Sequence, residues 1–388
     1  MKDLKEIRTE IDQTDDKILP LFLHRMDLAA EAAEYKKEKK LGVTNKSRER
    51  EILMRLSDKA KNGKAGQDMD LTGYVRVLYE TMFEVSKSYQ QRLNAAETVL
   101  ETKIQNALEH TPKLFPQTGV IACRGQEGSY AQIACDQLFP VADIMYFKND
   151  EAVFQAVEKG FCDFGLLPIE NNSVGSFHEI YDLMRKYGFH IVKSINLSVR
   201  HALLAKAGIQ ISDIRKILSH SRAIGQCSGF LKQLGEGVKI IPCENTAAAA
   251  AYAAECEEEG VAAISSQHCA KLYGLSCIAD SIENQGGSYT KFACISKELQ
   301  IYPGADRISL MLALPHESGA LYRMIAKFAA LGLNLTKIES RPVIGQNYEY
   351  LFYLDMTASV YSPEVLSLLG ELSQSGDFFA FLGNYSEI

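Results

Sequence analysis

The chain has little to offer a polyanion. Its 388 residues carry a net charge of −7 and a pI near 5.7. Nucleic acid or an anionic membrane surface is held by a basic stripe or tail, and none is present, so neither is an expected partner. The one dense basic run, Lys36-Lys37-Glu38-Lys39-Lys40, falls where a helix C-terminus favours cations. No apolar run approaches the roughly 20 residues of a membrane span, and the charge at Lys2 and Asp3 argues against a secretory leader. None of the nine cysteines stands in a C-x-x-C pair. An odd number without metal-ligand spacing reads as reduced thiols. Low-complexity tracts and tandem repeats are also missing. A soluble, cytoplasmic protein without metal or cofactor is expected.

What is there begins on a helix. From Leu4 to Tyr35, Leu4, Ile7, Ile11, Ile18, Leu21, Leu28, Ala32 and Tyr35 recur at alternating steps of three and four, the spacing of a helix-packing seam. Arg25 occupies one place in that seam. At about 100° per residue Arg25 and Lys36 point within about 20° of each other and lie roughly 16 Å apart along the axis, so two long side chains can converge on one small anion. Arg8 is roughly 25 Å from Arg25 along a straight helix. If Arg8 shares the site, a second protomer supplies it. The spacing alone leaves open that these are solvated surface charges.

A length of 388 residues suggests two to four domains. Residues 1–110 read as helix, over 4–40, 46–62 and 69–108, with breaks at Leu41-Gly42-Val43 and at 62–66. Pro20 inside the first helix costs about 3 kcal/mol or forces a kink. We expect a kink, because the seam keeps its phase across it. After a linker near Thr111-Pro112, short apolar runs alternate with helical stretches over 118–297, the grammar of an α/β domain. A second break near Pro303-Gly304 precedes residues 306–388, which read β-α-β-β-α-β, a ferredoxin-like plan.

On the second and third helices, Asn45 and Glu49 are four residues apart, Arg48 stands beside them, and Ser86 and Gln90 are again four apart. Each pair presents polar groups to one side of its helix. A bundle lined with Arg8, Arg25, Lys36, Asn45, Arg48, Glu49, Ser86 and Gln90 suits a small, doubly anionic, hydroxylated molecule. Without an evident nucleophile or metal set, its reaction needs only positioning and charge stabilisation. These residues resemble the pattern of the all-helical chorismate mutases over about the first 95 positions. The resemblance implies an intertwined dimer in which the partner's Arg8 and this chain's Arg25 hold the carboxylates of chorismate, with Ser86 assisting. It implies Lys36 and Gln90 at the ether oxygen and Glu49 at the hydroxyl. Asn45 stands where the bacterial family often has Asp.

In the middle segment, polar loops follow the apolar runs, where open α/β sheets bind ligands. They are Pro168–Gly175, Ser219–Cys227, Glu244–Ala248 and Gly287–Phe292. Singly each reads as a turn. Together, in this order, they resemble the prephenate dehydratases over 119–296, which implies a two-subdomain, periplasmic-binding-protein-like fold. The resemblance makes Thr290 the hydroxyl that helps the ring hydroxyl of prephenate leave as carbon dioxide is lost. It places Ser129, Glu170, Asn171, Ser173, Gln226, Lys291 and Phe292 at the substrate. His220 reads as structural more readily than as a general acid. Where the family has Thr-Arg-Phe, this chain reads Thr290-Lys291-Phe292, which keeps the charge and loses the planar fork.

The last segment carries Gly319-Ala320-Leu321 at a helix start and Glu339-Ser340-Arg341-Pro342 at a strand end. These resemble the signatures of ACT regulatory domains, implying a phenylalanine site between subunits. The expectation is a bifunctional, phenylalanine-inhibited enzyme that is a homodimer or homotetramer, with chorismate and prephenate as substrates. A mutase fused to a dehydratase-like module that only senses amino acids is the alternative, and arogenate stays open as a substrate.

Overall fold

The computed structural model describes residues 2–39, 41–61, 70–94, 97–235, 237–284, 287–342, 350–374 and 378–388. The expected break at 62–66 lies outside these. Contacts divide the chain into two units, Met1–Gln105 with Leu310–Phe379, and Asn106–Ser309 with Ala380–Ile388.

Four helices open the chain, α1 (Leu4–Glu38), α2 (Lys46–Lys61), α3 (Thr72–Asn94) and α4 (Val99–His110). Asp3 starts α1 through a capping box with Glu6, and the helix continues through Pro20. Asn45 starts α2, its Oδ1 accepting from the Arg48 amide at 3.0 Å. The expected helix 69–108 is two helices. The Thr98 amide donates to Glu101 Oε2 at 2.6 Å, and the Glu101 amide donates to Thr98 Oγ1 at 3.1 Å. This reciprocal pair is a capping box, which starts a new helix by satisfying its free amides.

The α1 and α2 helices both pack against α3. Only Ala29 and Ala33 are buried on α1, and residues 2–21 are exposed throughout. The apolar seam is therefore largely uncovered within one chain: Leu4, Ile11, Ile18 and Leu21 are each more than half exposed.

The second unit has two lobes. The first is built from β1 (Thr118–Arg124), α5 (Tyr130–Leu138), β2 (Val141–Phe147), α6 (Asp150–Glu158), β3 (Phe164–Asn171), the short β4 (Gly175–Ser176), α7 (His178–Tyr187) and β5 (His190–Val199). The chain then enters the second lobe through β6 (Ala202–Ala205), β7 (Lys216–His220), α8 (Ser221–Gln226), α9 (Ser228–Gln233), β8 (Lys239–Cys243), α10 (Thr246–Glu255), β9 (Val261–Ser265), α11 (Gln267–Tyr273) and β10 (Ser276–Ala279). It returns through β11 (Ser288–Ser296). Strand order is β5-β11-β3-β1-β2 in the first lobe and β10-β6-β9-β7-β8 in the second. Pairs β1/β2, β1/β3, β7/β8 and β7/β9 are parallel, as crossover helices on a sheet's faces require. Ile121, Phe139, Phe164, Leu166 and Phe292 fill one core. Alanines of α10 pack one face of the second sheet, and Ile217, Cys227, Leu231 and Ile264 pack the other.

The final elements are β12 (Arg307–Leu314), α12 (Ala320–Ala330), β13 (Asn334–Pro342), β14 (Tyr350–Thr357), α13 (Pro363–Gln374) and β15 (Phe379–Glu387), the expected β-α-β-β-α-β order. Strand β14 lies between β13 and β12. Within the first unit, α12 and α13 pack against α3. No described helix is long and apolar enough to cross a membrane.

Candidate active sites

The first site forms where α3 faces α1. Arg25 Nη1 donates a very short bond to Ser86 Oγ and a longer one to the Met82 carbonyl at 3.4 Å, and its guanidinium lies 5.8 Å from the centre of the Phe83 ring. Lys36 Nζ donates to Gln90 Oε1 at 3.0 Å and to the Val43 carbonyl at 2.7 Å. Ser86 and Gln90 are themselves buried. Burial holds the pKa of both cations below its ordinary value, and the Glu49 carboxylate opposes that shift at Lys36. Two partly desolvated cations about 16 Å apart along one helix are thus each held by a polar residue of α3.

Glu49 meets this site through Lys87, whose Nζ lies 3.4 Å from its Oε1. Asn45 and Arg48 are differently employed. Asn45 spends its side-chain oxygen on the α2 cap, and Arg48 pairs with Glu51 at 2.7 Å on an exposed face. Arg8 is exposed and has no hydrogen-bond or ion-pair partner among the described residues. The structure thus joins Arg25, Lys36, Glu49, Ser86 and Gln90, and leaves Arg8 and Arg48 outside the site of their own chain. Lys87 was not among the expected residues.

The second site lies where the chain crosses between lobes. Asn171 ends β3 opposite Thr290 of β11. Asn171 Oδ1 accepts from the Ser173 amide at 3.0 Å, Ser173 Oγ at 2.6 Å and the Val174 amide at 3.2 Å. That fixes the orientation of the amide, so its Nδ2 donates to Thr290 Oγ1 at 2.9 Å and to the Tyr289 carbonyl at 3.1 Å. From the other lobe, Gln226 Nε2 donates to Ser173 Oγ at 3.1 Å and Ser288 Oγ at 3.3 Å. Gln226 Oε1 faces His201 Nε2 at 2.9 Å. With the amide nitrogen already donating to two hydroxyls, that oxygen accepts, which makes His201 the Nε2–H tautomer. The Tyr130 hydroxyl donates to the Arg200 carbonyl and stands 3.3 Å from His201 Nδ1. The His201 amide donates to Glu283 Oε2 at 3.0 Å. His201 is almost fully buried, and burial holds its pKa below the ordinary histidine value.

Asn171, Ser173, Gln226 and Thr290 therefore gather as expected, and Ser288, His201 and Tyr130 join them. Lys291, Glu170 and Phe292 stand apart from this group. Neighbours on a strand point to opposite faces, and Lys291 turns from Thr290 to pair with Glu387 at 2.8 Å. Glu170 is the register partner of Lys291 rather than of Thr290, so it shares that opposite face. Phe292 is buried in the first-lobe core. Ser129 caps α5, accepting from the Gln132 amide at 3.4 Å. His220 likewise caps α8, its Nδ1 accepting from the Arg222 amide at 3.3 Å, a structural employment.

In the last segment Gly319 caps α12 with φ of 82°, a left-handed conformation that favours glycine. A Cβ there would stand 3.1 Å from Arg323 Nη1. Ala320 and Leu321 begin the helix, and Glu339, Ser340, Arg341 and Pro342 end β13 with alternating burial.

Two family models match the chain: chorismate mutase type II over residues 7–91 and prephenate dehydratase over residues 121–300. A bifunctional chorismate mutase/prephenate dehydratase of Escherichia coli is 30% identical over 388 residues, covering 98% of this chain and 96% of that one. An Arabidopsis thaliana arogenate dehydratase/prephenate dehydratase is 35% identical, covering 68% of this chain and 72% of that one. Among solved structures, an Arthrobacter aurescens prephenate dehydratase in complex with L-Phe superposes with a TM-score of 0.63 at 27% identity, covering 69% of this chain and 89% of that one.

Proposed function

The chain belongs to the bifunctional chorismate mutase/prephenate dehydratase family, and from that premise we propose how its residues divide the work. The enzyme rearranges chorismate to prephenate, then dehydrates and decarboxylates prephenate to phenylpyruvate. We assign the first reaction to residues 1–110, the second to 118–297, and an ACT-type regulatory role to 306–388.

The observation that carries the mutase assignment is the pair of bonds Arg25–Ser86 and Lys36–Gln90 across α1 and α3. Arg25 takes a carboxylate of chorismate, and Ser86 holds the guanidinium in place. In the rearrangement the ether C–O bond breaks as a new C–C bond forms, and negative charge grows on the ether oxygen. Lys36 and Gln90 donate to that oxygen. Because both are already oriented, little reorganisation is needed at the barrier, which is where electrostatic stabilisation acts. Glu49 accepts the substrate hydroxyl. Arg48 and Asn45 complete the site when substrate draws Arg48 from Glu51.

Arg8 acts in the partner's site. An exposed apolar seam on the same half of α1 supports this, since a second copy of the helix would cover Leu4, Ile11, Ile18 and Leu21 and carry Arg8 with it. An even-numbered oligomer, dimer or tetramer, follows.

In the dehydratase, Thr290 Oγ1 already accepts a bond from Asn171, so its own proton is free to point into the site. Thr290 gives that proton to the departing ring hydroxyl, which leaves as water, and regains one from solvent, as the carboxylate leaves as carbon dioxide and the ring becomes aromatic. Water and carbon dioxide are the co-products. Gln226, Ser173 and Ser288 hold the polar end of prephenate across the lobes, and neutral His201 fixes Gln226. Ser129 supports the pocket as a cap, not as a contact.

Phenylalanine inhibits by binding the Gly319-Ala320-Leu321 helix start and the Glu339–Pro342 strand end of paired regulatory segments. A ligand there shifts activity only through a difference in affinity between two conformations.

The test is direct. Purified protein given chorismate should consume it and release phenylpyruvate, with less product when phenylalanine is added. Prephenate accumulating in the wild type would support the sensing-only alternative for the second module. Arogenate offered in place of prephenate distinguishes the two substrates.

A further inference from the structure

A row of alternating charges runs from Glu49 of the mutase site to α12 and α13, and its members beyond Glu49 have no part in the reaction as assigned above. From Glu49 on α2 the row passes to Lys87 on α3 at 3.4 Å, and from Lys87 to Glu84 at 2.5 Å. It continues to Lys327 on α12, 3.9 Å from Glu84 Oε2, and ends in a very short pair between Lys327 and Glu371 on α13. Ser88 Oγ donates to Glu371 Oε2 at 3.0 Å and closes the end of the row on α3. The Glu84, Lys327 and Glu371 side chains are only 9%, 14% and 4% exposed. Buried charges cost desolvation energy that a hydrophobic contact would avoid. The α3–α12 contact also has a neutral bond, Thr81 Oγ1 to Tyr322 Oη at 2.6 Å, so packing alone does not account for the charges.

Lys87 sits between two carboxylates and belongs more closely to Glu84 than to Glu49. What holds Lys87 within reach of Glu49 is that Glu84 is partly engaged by Lys327. Removing Lys327 leaves Glu84 with one cation, which it draws closer, away from Glu49. Removing Glu84 releases Lys87 to Glu49 alone. The row therefore predicts effects of opposite sign from removing Lys327 and removing Glu84, which a merely structural cluster does not.

We propose that Lys87 is a positioning residue for Glu49 in the mutase reaction, and that Lys327 sets how firmly Lys87 does so, which makes mutase turnover depend on α12 staying packed on α3. The inference rests on the reading of Glu49 as the acceptor of the substrate hydroxyl. Charged groups near Glu49 are Lys36 of α1 and Lys87 of α3, with Lys46 and Arg50 of its own helix lining the same groove and Glu84 behind Lys87.

Mutase kcat and KM are measured for the full chain, with dehydratase turnover of prephenate as the control for folding. Lys87→Met should lower mutase kcat/KM about tenfold to a hundredfold, the scale of a misplaced group. Lys87→Arg should restore most of that loss. Lys327→Met should lower kcat/KM by less, and Glu84→Gln should raise it. Wild-type kcat/KM in Lys87→Met overturns the proposal, as does a lowered kcat/KM in Glu84→Gln. If Lys87→Met also loses dehydratase activity, Lys87→Arg and Glu84→Gln decide by the same criteria. Glu49→Gln separates the two readings: unchanged mutase activity there defeats the assignment of Glu49 itself.

Discussion

Asn171 donates to Thr290 Oγ1 at 2.9 Å across the β3–β11 ladder, and its own carbonyl oxygen is held by three donors from the turn that follows. The amide cannot flip without losing those bonds, so Thr290 Oγ1 is held as an acceptor from Asn171.

Thr290→Ala should therefore lower dehydratase kcat by about a hundredfold or more, the range of a lost general acid, while mutase activity stays at the wild-type level. Thr290→Ser should retain most of the rate, since it keeps the hydroxyl opposite Asn171. Asn171→Ala should lower kcat as well, because the hydroxyl then has no fixed orientation. Parallel assays on chorismate and prephenate report both activities. Full turnover by Thr290→Ala would remove the hydroxyl from the mechanism.

Arg8 and Arg25 lie on one helix, yet only Arg25 reaches Ser86. If the partner supplies Arg8, Arg8→Ala and Arg25→Ala proteins should each lose mutase activity by about 100-fold or more, the loss that follows removal of a donor to developing charge. Mixed and allowed to exchange subunits, they should recover part of it, because one site of the heterodimer is then intact. Subunit exchange is followed by mass, and activity in the same samples. Exchange without recovery would show that each chain builds its site alone.

Much of this was legible in advance because helices and strands repeat. Arg25 and Lys36 could be paired from helical phase alone, and Ser86 and Gln90 from their spacing of four. The β-α-β-β-α-β order of the last segment was readable from alternating apolar runs. The split between α3 and α4 was also written, as Thr98-Val-Leu-Glu101, but the helical pattern on both sides hid it. Two kinds of residue were not legible. His201 carries no motif, and Ser288 was one unmarked position in the Gly287–Phe292 loop; both reach the site because the chain crosses there twice between lobes. Lys87 depends on how α2 and α12 dock on α3, which no local pattern encodes. Lys291 follows Thr290 in sequence and therefore lies on the opposite face of the strand, paired with Glu387.

Burial depresses the pKa of His201, and the sign of its effect on stability follows. Between the depressed folded value and the unfolded value near 6.5, the unfolded chain binds the proton and the folded chain does not. Stability from this group is thus fully present above about pH 6.5 and is lost as pH falls through the folded pKa. His201→Asn should remove that part of the acid dependence. The measurement is the unfolding midpoint between pH 7.5 and 5, where the variant's decline should be the shallower one. An identical slope in both proteins would mean that His201 is protonated alike in the folded and unfolded chains.

Lys291 is the position at which this chain departs from the dehydratase pattern, and its ion pair with Glu387 changes what the departure means. Burial pushes the Glu387 pKa up, but the hydrogen bond and charge of Lys291, with help from Arg307 and Ser194, bring it below the ordinary carboxylate value. The pair fastens β15 where Ser386 and Glu387 lie beside Lys193 and Ser194 of β5. Lys291→Ala leaves the half-buried carboxylate short of its main cation, a loss of roughly 1–3 kcal/mol. That should show as a lower unfolding midpoint at pH 7. The penalty should shrink below about pH 4.5, because a depressed carboxylate contributes stability above its unfolded pKa and loses it as pH falls. Lys291→Arg keeps the charge and should restore most of the midpoint. Dehydratase kcat in Lys291→Ala should fall far less than in Thr290→Ala, since the lysine points away from the reacting hydroxyl. A kcat loss equal to that of Thr290→Ala, at an unchanged midpoint, would return Lys291 to the substrate pocket.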